Sequence, residues 1–363
     1  MGKKKEIMLL ITYNCNLSCV YCYEPKTEHN KMTSDQAISY IMEVVNNLDE
    51  TYSEFEVQFM GGEPLLQFNL IRLVSTWLWK QTFKVKLSHI FIVTNGTLLN
   101  DEMKAWFSEH KESIYLWLSF DGNRLMQNMN RSESASLVDL SYFVANWPNQ
   151  HVKMTVSPDT ISNLYDGVTY LIEQGFTYIT TDLAMGNRIF WEDCHLNVFV
   201  EQLEKLSAFY IANPDTPLFS MFNIDILSVV STASDAQKHC GCGEDLVCID
   251  TDGKHYACHL FSPIALPKNK VIKSNEYDFS DYAYFELADC KDCAIRNFCP
   301  HCYGMNFLCT GDIKKQSAFT CKSTRIQFAY ACKCQLGRAE RFGDEKLYSH
   351  LNNIINSIIL WTC

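Results

Sequence analysis

Cys15, Cys19 and Cys22 form a C-x3-C-x2-C run near the start of the chain. Zinc sites usually gather four ligands on paired C-x2-C arms, and no fourth ligand stands close by in the sequence. A [4Fe–4S] cluster takes one thiolate per iron, so three thiolates leave one iron open to another ligand. Further along, Cys242-x5-Cys248, Gly253-x4-Cys258, Cys290-x2-Cys293-x5-Cys299-x2-Cys302 and then Cys321 make a ladder of eight cysteines. Eight thiolates suit two fully ligated [4Fe–4S] clusters or, alternatively, two zinc sites. The chain holds 17 cysteines in 363 residues and shows no export signal, so metal is the expected use rather than disulfides. Cys194, Cys240, Cys309, Cys332, Cys334 and Cys363 stand outside these patterns. His255, His259 and His301 lie among the cysteines and read as neighbours of the site rather than ligands.

The elements that position these thiols alternate in the first half. Apolar runs at Ile7 to Thr12, Phe55 to Met60, His89 to Thr94, Ile114 to Phe120, Lys153 to Val156 and Tyr178 to Leu183 read as strands. Helical spacing of Ile38, Ile41, Met42, Val45 and Leu48 predicts a helix, and Thr33 with Gln36 resembles a capping box at its start. Asn100 is a candidate N-cap for a helix through Met103, Trp106 and Phe107. Leu164, Val168, Leu171 and Ile172 mark a third helix. Six βα units with right-handed crossovers predict an α/β fold, a partial (β/α)6 TIM-like barrel with a cysteine-rich C-terminal domain. Chemistry in such a barrel gathers at the C-terminal strand ends. Cys15, Gly61 to Pro64, Thr94 to Gly96 and Ser119 to Gly122 all fall there. The expected divisions are a core over 1–190, a bridging helical segment over 191–238, the cysteine-rich domain over 239–335 and a C-terminal helix over 336–363. Val198, Leu203, Leu206 and Tyr210 mark the bridge. Leu351, Ile354, Ile355, Ile358 and Ile359 mark the last helix.

Composition narrows the function. A net charge of −11 repels phosphate backbones, so nucleic acid is not an expected partner. The run Ile7 to Ile11 is far below the roughly 20 residues of a membrane-spanning helix. No signal peptide is recognisable. Gly2 is followed by Glu6 where a myristoylation motif needs Ser or Thr. No membrane partner is expected, and the cytoplasm is the expected location.

The string Cys15-Asn16-Leu17-Ser18-Cys19-Val20-Tyr21-Cys22 resembles the defining loop of radical S-adenosylmethionine (SAM) enzymes, with an aromatic residue before the third cysteine. Gly61-Gly62-Glu63-Pro64 is similar to that family's Gly-Gly-Glu element, whose glycines let backbone approach the ligand. Ser119-Phe120-Asp121-Gly122 followed by Arg131 resembles its ribose- and carboxylate-contacting positions, although Gln127 and Asn128 replace the usual His-Asp. The resemblance implies that Cys15, Cys19 and Cys22 hold a site-open [4Fe–4S] cluster. It places Tyr21, Gly61, Gly62, Glu63, Ser119 and Arg131 around S-adenosyl-L-methionine. Reductive cleavage of SAM to a 5′-deoxyadenosyl radical, followed by hydrogen abstraction, is the implied reaction. The later ladder resembles the SPASM extension. By that resemblance Cys242, Cys248, Cys258 and Cys302 hold one auxiliary [4Fe–4S] cluster, and Cys290, Cys293, Cys299 and Cys321 the other. The compact run has two residues before Cys302 where the family usually has three.

A SPASM resemblance implies a peptide or protein substrate and a low-potential electron donor such as flavodoxin or ferredoxin. Two reactions compete. Maturases of ribosomal peptides form thioether or carbon–carbon crosslinks, and with the core starting near residue 7 leader recognition is expected to use a separate leader-binding protein or another surface. Anaerobic sulfatase-maturing enzymes make formylglycine and have an Asp base directly after the third auxiliary cysteine. Here that position is His259, a tentative base or substrate-cavity residue. Histidine has an unperturbed pKa near 6.5, and an anionic cluster beside it raises that value and weakens the base. The peptide maturase is the expected reading, ahead of sulfatase maturation and of a non-catalytic iron–sulfur or zinc protein.

Overall fold

A computed structural model of the chain describes residues 2–24, 30–186, 188–226, 240–281, 290, 293–299 and 301–362. His239, Cys363 and the side chains of Ile358 and Ile359 lie outside the described residues. The chain divides into two compact units. The first takes in Met1–Phe120, Arg131–Gln150 and Cys240–Asp281, and the second Asp121–Asn130, His151–His239 and Tyr282–Cys363.

In the first unit, β1 (Lys3–Thr12), β2 (Tyr52–Gly61), β3 (Lys86–Thr94) and β4 (Ile114–Ser119) run parallel, separated by α1 (Ser34–Asn46), α2 (Phe68–Trp79) and α3 (Asp101–Glu109). Register lines up Ile7, Val57, Ile90 and Ile114 across the four strands, then Leu9, Phe59, Ile92 and Leu116. All eight side chains are buried, because alternate residues of a strand share one face. The opposite face carries Gln58, Phe91 and Tyr115 in register, and these are only half-buried. The helices present matching stripes: Ala37, Ile41 and Val45 on α1, and Ile71, Val74 and Leu78 on α2. Thr33 and Gln36 close the expected capping box, and the Asn100 side chain accepts the Met103 N–H at 2.9 Å.

Two strands were not expected. Of the strands after β5 (His151–Val156) and β6 (Tyr178–Leu183), β7 (Leu246–Ile249) pairs in parallel with β1 on the side away from β2, and β8 (His255–Tyr256) turns back antiparallel on β7. The strand order in this unit is therefore β4-β3-β2-β1-β7-β8. Met8 lies opposite Cys248 in the β1–β7 pair.

In the second unit, β5 and β6 pair in parallel, with α4 (Arg124–Asn130), α6 (Leu164–Glu173) and α7 (Asp193–Ala212) around them in sequence. Between them in chain order, α5 (Leu140–Asn146) belongs to the first unit, as does α8 (Lys268–Ser274). The second unit ends with α9 (Tyr303–Thr310), α10 (Ala318–Phe342) and α11 (Glu345–Thr362). α7 packs along α10, where Gly337 lets the Ile211 side chain come in. Phe328, Cys332 and Ala339 of α10 bury against Ile226, Ile295 and Leu351. No described helix is long and apolar enough to cross a membrane.

At the C-terminal strand ends the β1–β2 register slips between Leu10 and Thr12, and the backbones come unusually close. Gly61 has φ +143°, and a Cβ on it would lie 2.0 Å from the Thr12 carbonyl oxygen. A Cβ on Gly62 would lie 2.3 Å from that of Asn14. Gly61→Ala should therefore cost more than about 2 kcal/mol of stability in a urea titration, since both clash and backbone strain oppose it. A loss within the about 0.5 kcal/mol usual for neutral surface changes would show that the strand ends part freely.

Candidate functional site

The first cysteine loop leaves β1 and is held at its start by the exit of β2. Gly62 N–H donates to Thr12 O at 2.9 Å, and Glu63 N–H to Asn14 O at 2.8 Å. Within the loop, Cys22 N–H donates to Cys19 O at 3.1 Å. Cys15, Cys19 and Cys22 are all half-buried. Asn16 ties the loop to the end of β3: it accepts from the Asn95 side chain at 2.9 Å and donates to the Thr97 hydroxyl at 2.8 Å. Ser18 N–H donates to the Ser132 hydroxyl at 2.8 Å. The Arg131 guanidinium lies 5.4 Å from the ring centre of Tyr21, close enough for a cation–π contact.

Glu63 is fully buried, and its carboxylate faces away from open solvent into backbone and hydroxyl donors. Oε1 accepts Leu65 N–H at 3.0 Å and the Thr94 hydroxyl at 2.7 Å, and Oε2 accepts Asn95 N–H at 2.8 Å. Burial pushes its pKa up, while those bonds and then the Arg131 charge oppose the shift. Arg131 is itself only 8% exposed, which sets aside a solvated surface role. The next two residues, Ser132 and Glu133, have φ of +53° and +55°, a conformation non-glycine residues rarely adopt and one that recurs at functional sites. Ser119 stands half-buried at the last position of β4. In the second unit Asp121 accepts Thr155 N–H at 2.8 Å and the Asn130 amide at 3.1 Å. Gln127 replaces the family's usual residue by accepting Asp121 N–H through its own side chain at 2.8 Å.

A second group of thiols lies in the same unit as the loop. Cys242 is in hydrogen-bonding contact with Cys240 and Cys258, and these contacts, with burial, raise its pKa. Burial and then the neighbouring Cys258 and Asp250 raise that of Cys248. Tyr23, directly after Cys22, feels Cys22, Cys248 and Cys258 together, and burial with these charges raises its pKa. His259 opens the 3-10 turn after Cys258, with its ring 5.7 Å from that of Tyr23. Tyr13 O–H donates to both carboxylate oxygens of buried Asp250, at 2.8 and 2.7 Å. His255 is exposed on β8.

The third group is in the second unit. Burial pushes buried Cys299 up to about 11; Gln316 opposes this, and Cys290, Cys293 and Cys321 add to it. Cys321 sits in the first turn of α10, whose N-cap is Ser317. His301 is buried, with Nδ1 3.1 Å from the Gln316 amide oxygen. Cys302 is exposed at the N-cap of α9. Among the described residues no three His, Cys, Asp or Glu side chains close on one point as the ligands of a single ion do. None of the described cysteines is in a disulfide. Thiols grouped in this way suit thiolate ligation, since binding iron displaces the protons that burial and mutual repulsion retain. Cys332 and Cys334, by contrast, are buried on α10 and pushed up to about 12 by burial first, as apolar core residues are. Asn16, Asn95, Thr97 and Ser132 were absent from the expected site. Only the placement of Thr94 to Gly96 at a strand end hinted at them.

A family model for the Radical SAM superfamily matches residues 9–194. The chain is 23% identical over 339 residues to the radical SAM cyclopropyl synthase TigE of Paramaledivibacter caminithermalis, covering 86% of this chain and 69% of that protein. It is 28% identical over 131 residues to the cysteine-type anaerobic sulfatase-maturating enzyme of Clostridium perfringens, covering 34% of each. An uncharacterized protein of Methanocaldococcus jannaschii is 29% identical over 188 residues, 49% of this chain and 62% of its own length. The fold is similar to that of anSMEcpe with bound AdoMet and Cp18Cys peptide, with a TM-score of 0.69 at 19% identity, covering 97% and 99% of the two chains. It is also similar to Streptococcus suis SuiB bound to precursor peptide SuiA, with a TM-score of 0.58 at 13% identity, covering 88% and 76%. Radical SAM proteins use a [4Fe–4S] cluster and SAM. With its first cysteine loop, its Gly-Gly-Glu element and Arg131 all inside a match that spans half of its length, the chain belongs to the radical SAM superfamily.

Proposed function

We propose that this chain modifies a residue of a peptide or protein, and that residues 239–335 form a SPASM domain with two auxiliary clusters. The grouping of Cys290, Cys293 and Cys321 around buried Cys299 carries the reading. The group of Cys242, Cys248 and Cys258 supports it independently. When bound, the open cluster and SAM supply one-electron cleavage of the sulfonium and a radical able to take hydrogen from the substrate. Cys15, Cys19 and Cys22 hold the open cluster. Gly61 and Gly62 leave backbone exposed for the SAM ammonium, Glu63 fixes that edge, and Ser119 and Arg131 take the ribose and carboxylate. Tyr21 backs Arg131. A flavodoxin or ferredoxin supplies electrons.

Crosslinking of a ribosomal peptide is the favoured reaction. His259, rather than an Asp, follows Cys258, which weighs against formylglycine formation, as does a sequence similarity to sulfatase maturases that covers 34% of the chain where that to TigE covers 86%. Formylglycine formation is the second reading, favoured by a fold shared with anSMEcpe over 99% of that chain.

Anaerobically reconstituted protein should carry about twelve irons and as many sulfides. Replacing Cys15, Cys19 and Cys22 together by Ala should remove about four irons and abolish release of 5′-deoxyadenosine from SAM under dithionite. Stoichiometric zinc with little iron in anaerobically isolated protein would sink the reading.

Arg131→Ala should raise the SAM dissociation constant at least about tenfold, the size of one charge-assisted contact. Unchanged affinity with full iron content would confine Arg131 to its contact with Tyr21.

Reduced enzyme given SAM and a sulfatase-derived Cys peptide should yield no aldehyde by mass spectrometry. Robust loss of sulfur with gain of a hydratable aldehyde would replace crosslinking with formylglycine formation. A dehydrogenated, crosslinked product from a Cys-rich peptide encoded beside this chain is the outcome expected instead.

A further inference from the structure

Each cysteine of the first loop stands next to a residue that is gripped from outside the loop. Asn16, directly after Cys15, is hydrogen-bonded to the Asn95 side chain at 2.9 Å and to the Thr97 hydroxyl at 2.8 Å. Ser18, directly before Cys19, donates its N–H to the Ser132 hydroxyl at 2.8 Å. Tyr21, directly before Cys22, has the Arg131 guanidinium 5.4 Å from its ring centre. The last two grips come from consecutive residues, so a shift of 131–132 would move the second and third cysteines together.

The backbone at that place is strained. Ser134 N–H donates to Arg131 O at 3.2 Å across Ser132 and Glu133, whose φ values of +53° and +55° follow the pattern of a type I′ turn. Such turns favour glycine and asparagine, because a Cβ crowds the left-handed region. Buried Ser134 and Ala135 anchor the turn from behind. A glycine at 132 would suit this backbone better than serine, yet it would bring no hydroxyl to Ser18.

We propose that Ser132 is a positioning residue of the SAM site. Through Ser18 it holds the stretch from Cys19 to Cys22 in the shape that receives the open cluster, in step with Arg131, to which the SAM carboxylate is assigned. The role rests on the reading of Cys15, Cys19 and Cys22 as the ligands of that cluster. No bond is made or broken at Ser132.

The test compares Ser132→Gly with Ser132→Ala in the full chain, reconstituted anaerobically. Both lack the hydroxyl, but glycine relaxes the left-handed backbone and alanine keeps it strained, so the glycine variant should unfold at the higher urea concentration of the two. Hydrogen exchange of the Ser18 amide should nonetheless quicken about fivefold in both, the size of one neutral hydrogen bond. The SAM dissociation constant should rise by about the same factor in both. Unchanged exchange or unchanged SAM affinity in the glycine variant overturns the proposal. So does a loss confined to the alanine variant, which would follow stability rather than the hydroxyl. If Ser132→Ala does not fold, the glycine variant decides alone. If the joint replacement of Cys15, Cys19 and Cys22 by Ala keeps every iron, the first-cluster reading has failed rather than the role of Ser132.

Discussion

The close approach of Gly61 and Gly62 to Thr12 and Asn14 governs the end of the sheet where the chemistry sits. Parallel strands leave their C-terminal ends to loops, and loops of this length would ordinarily be free to shift. Here the second strand's exit lies against the first strand's exit with no room for a side chain, so the two loops move as one. The slip in register after Leu10 turns the chain out of the sheet at the point where the cysteines begin. Everything that follows in the loop takes its origin from that contact.

Around it, polar groups do what apolar packing cannot. Glu63 is a buried carboxylate satisfied by two N–H groups and a hydroxyl, and burying such a charge is tolerable only with donors on both oxygens. Two of these donors, the Thr94 hydroxyl and Asn95 N–H, come from the end of β3, so Glu63 couples the second strand exit to the third. Asn16 and Asn95 extend the coupling to the cysteine loop itself. From the other side, Ser132, itself in a left-handed conformation, reaches Ser18, and Arg131 just before it reaches Tyr21. A strained segment persists only where its surroundings overdetermine it, and this one grips the loop at two points.

Much of this was readable from residue types. All six apolar runs are strands, β1 as a continuously buried run and β3, β4 and β5 with burial at alternate positions, and Thr33 and Asn100 cap their helices as their chemistry dictates. The cysteine loop declared itself by spacing. What stayed hidden depended on long-range partners. Leu246 to Ile249 is a four-residue run inside a cysteine-rich stretch, too short to declare a period, and becomes a strand because β1 offers a free edge. α10 spans 25 residues, yet Phe328 is the one large apolar residue among its buried positions, the others being Ser, Thr, Ala and Cys, so no apolar stripe marks it. Ser132 has nothing in its type that predicts a positive φ.

The pairing of β7 with β1 bears on how two separate groups of thiols share one frame. β1 delivers the chain into the first cysteine loop, and β7 carries Cys248 in register with Met8 of β1. Tyr13, one residue past β1, clamps Asp250, one residue past β7. Two adjacent parallel strands therefore launch two thiol-bearing loops from the same edge, in the same direction, with a buried hydrogen bond between their first residues. Tyr23 then stands among thiols of both groups, with His259 against it. Sheet register is far stiffer than loop conformation, since a slip of one residue would turn every side chain to the opposite face. The spacing between the first cysteine loop and the thiols around Cys248 is thus fixed by the β1–β7 ladder rather than by the conformation of either loop.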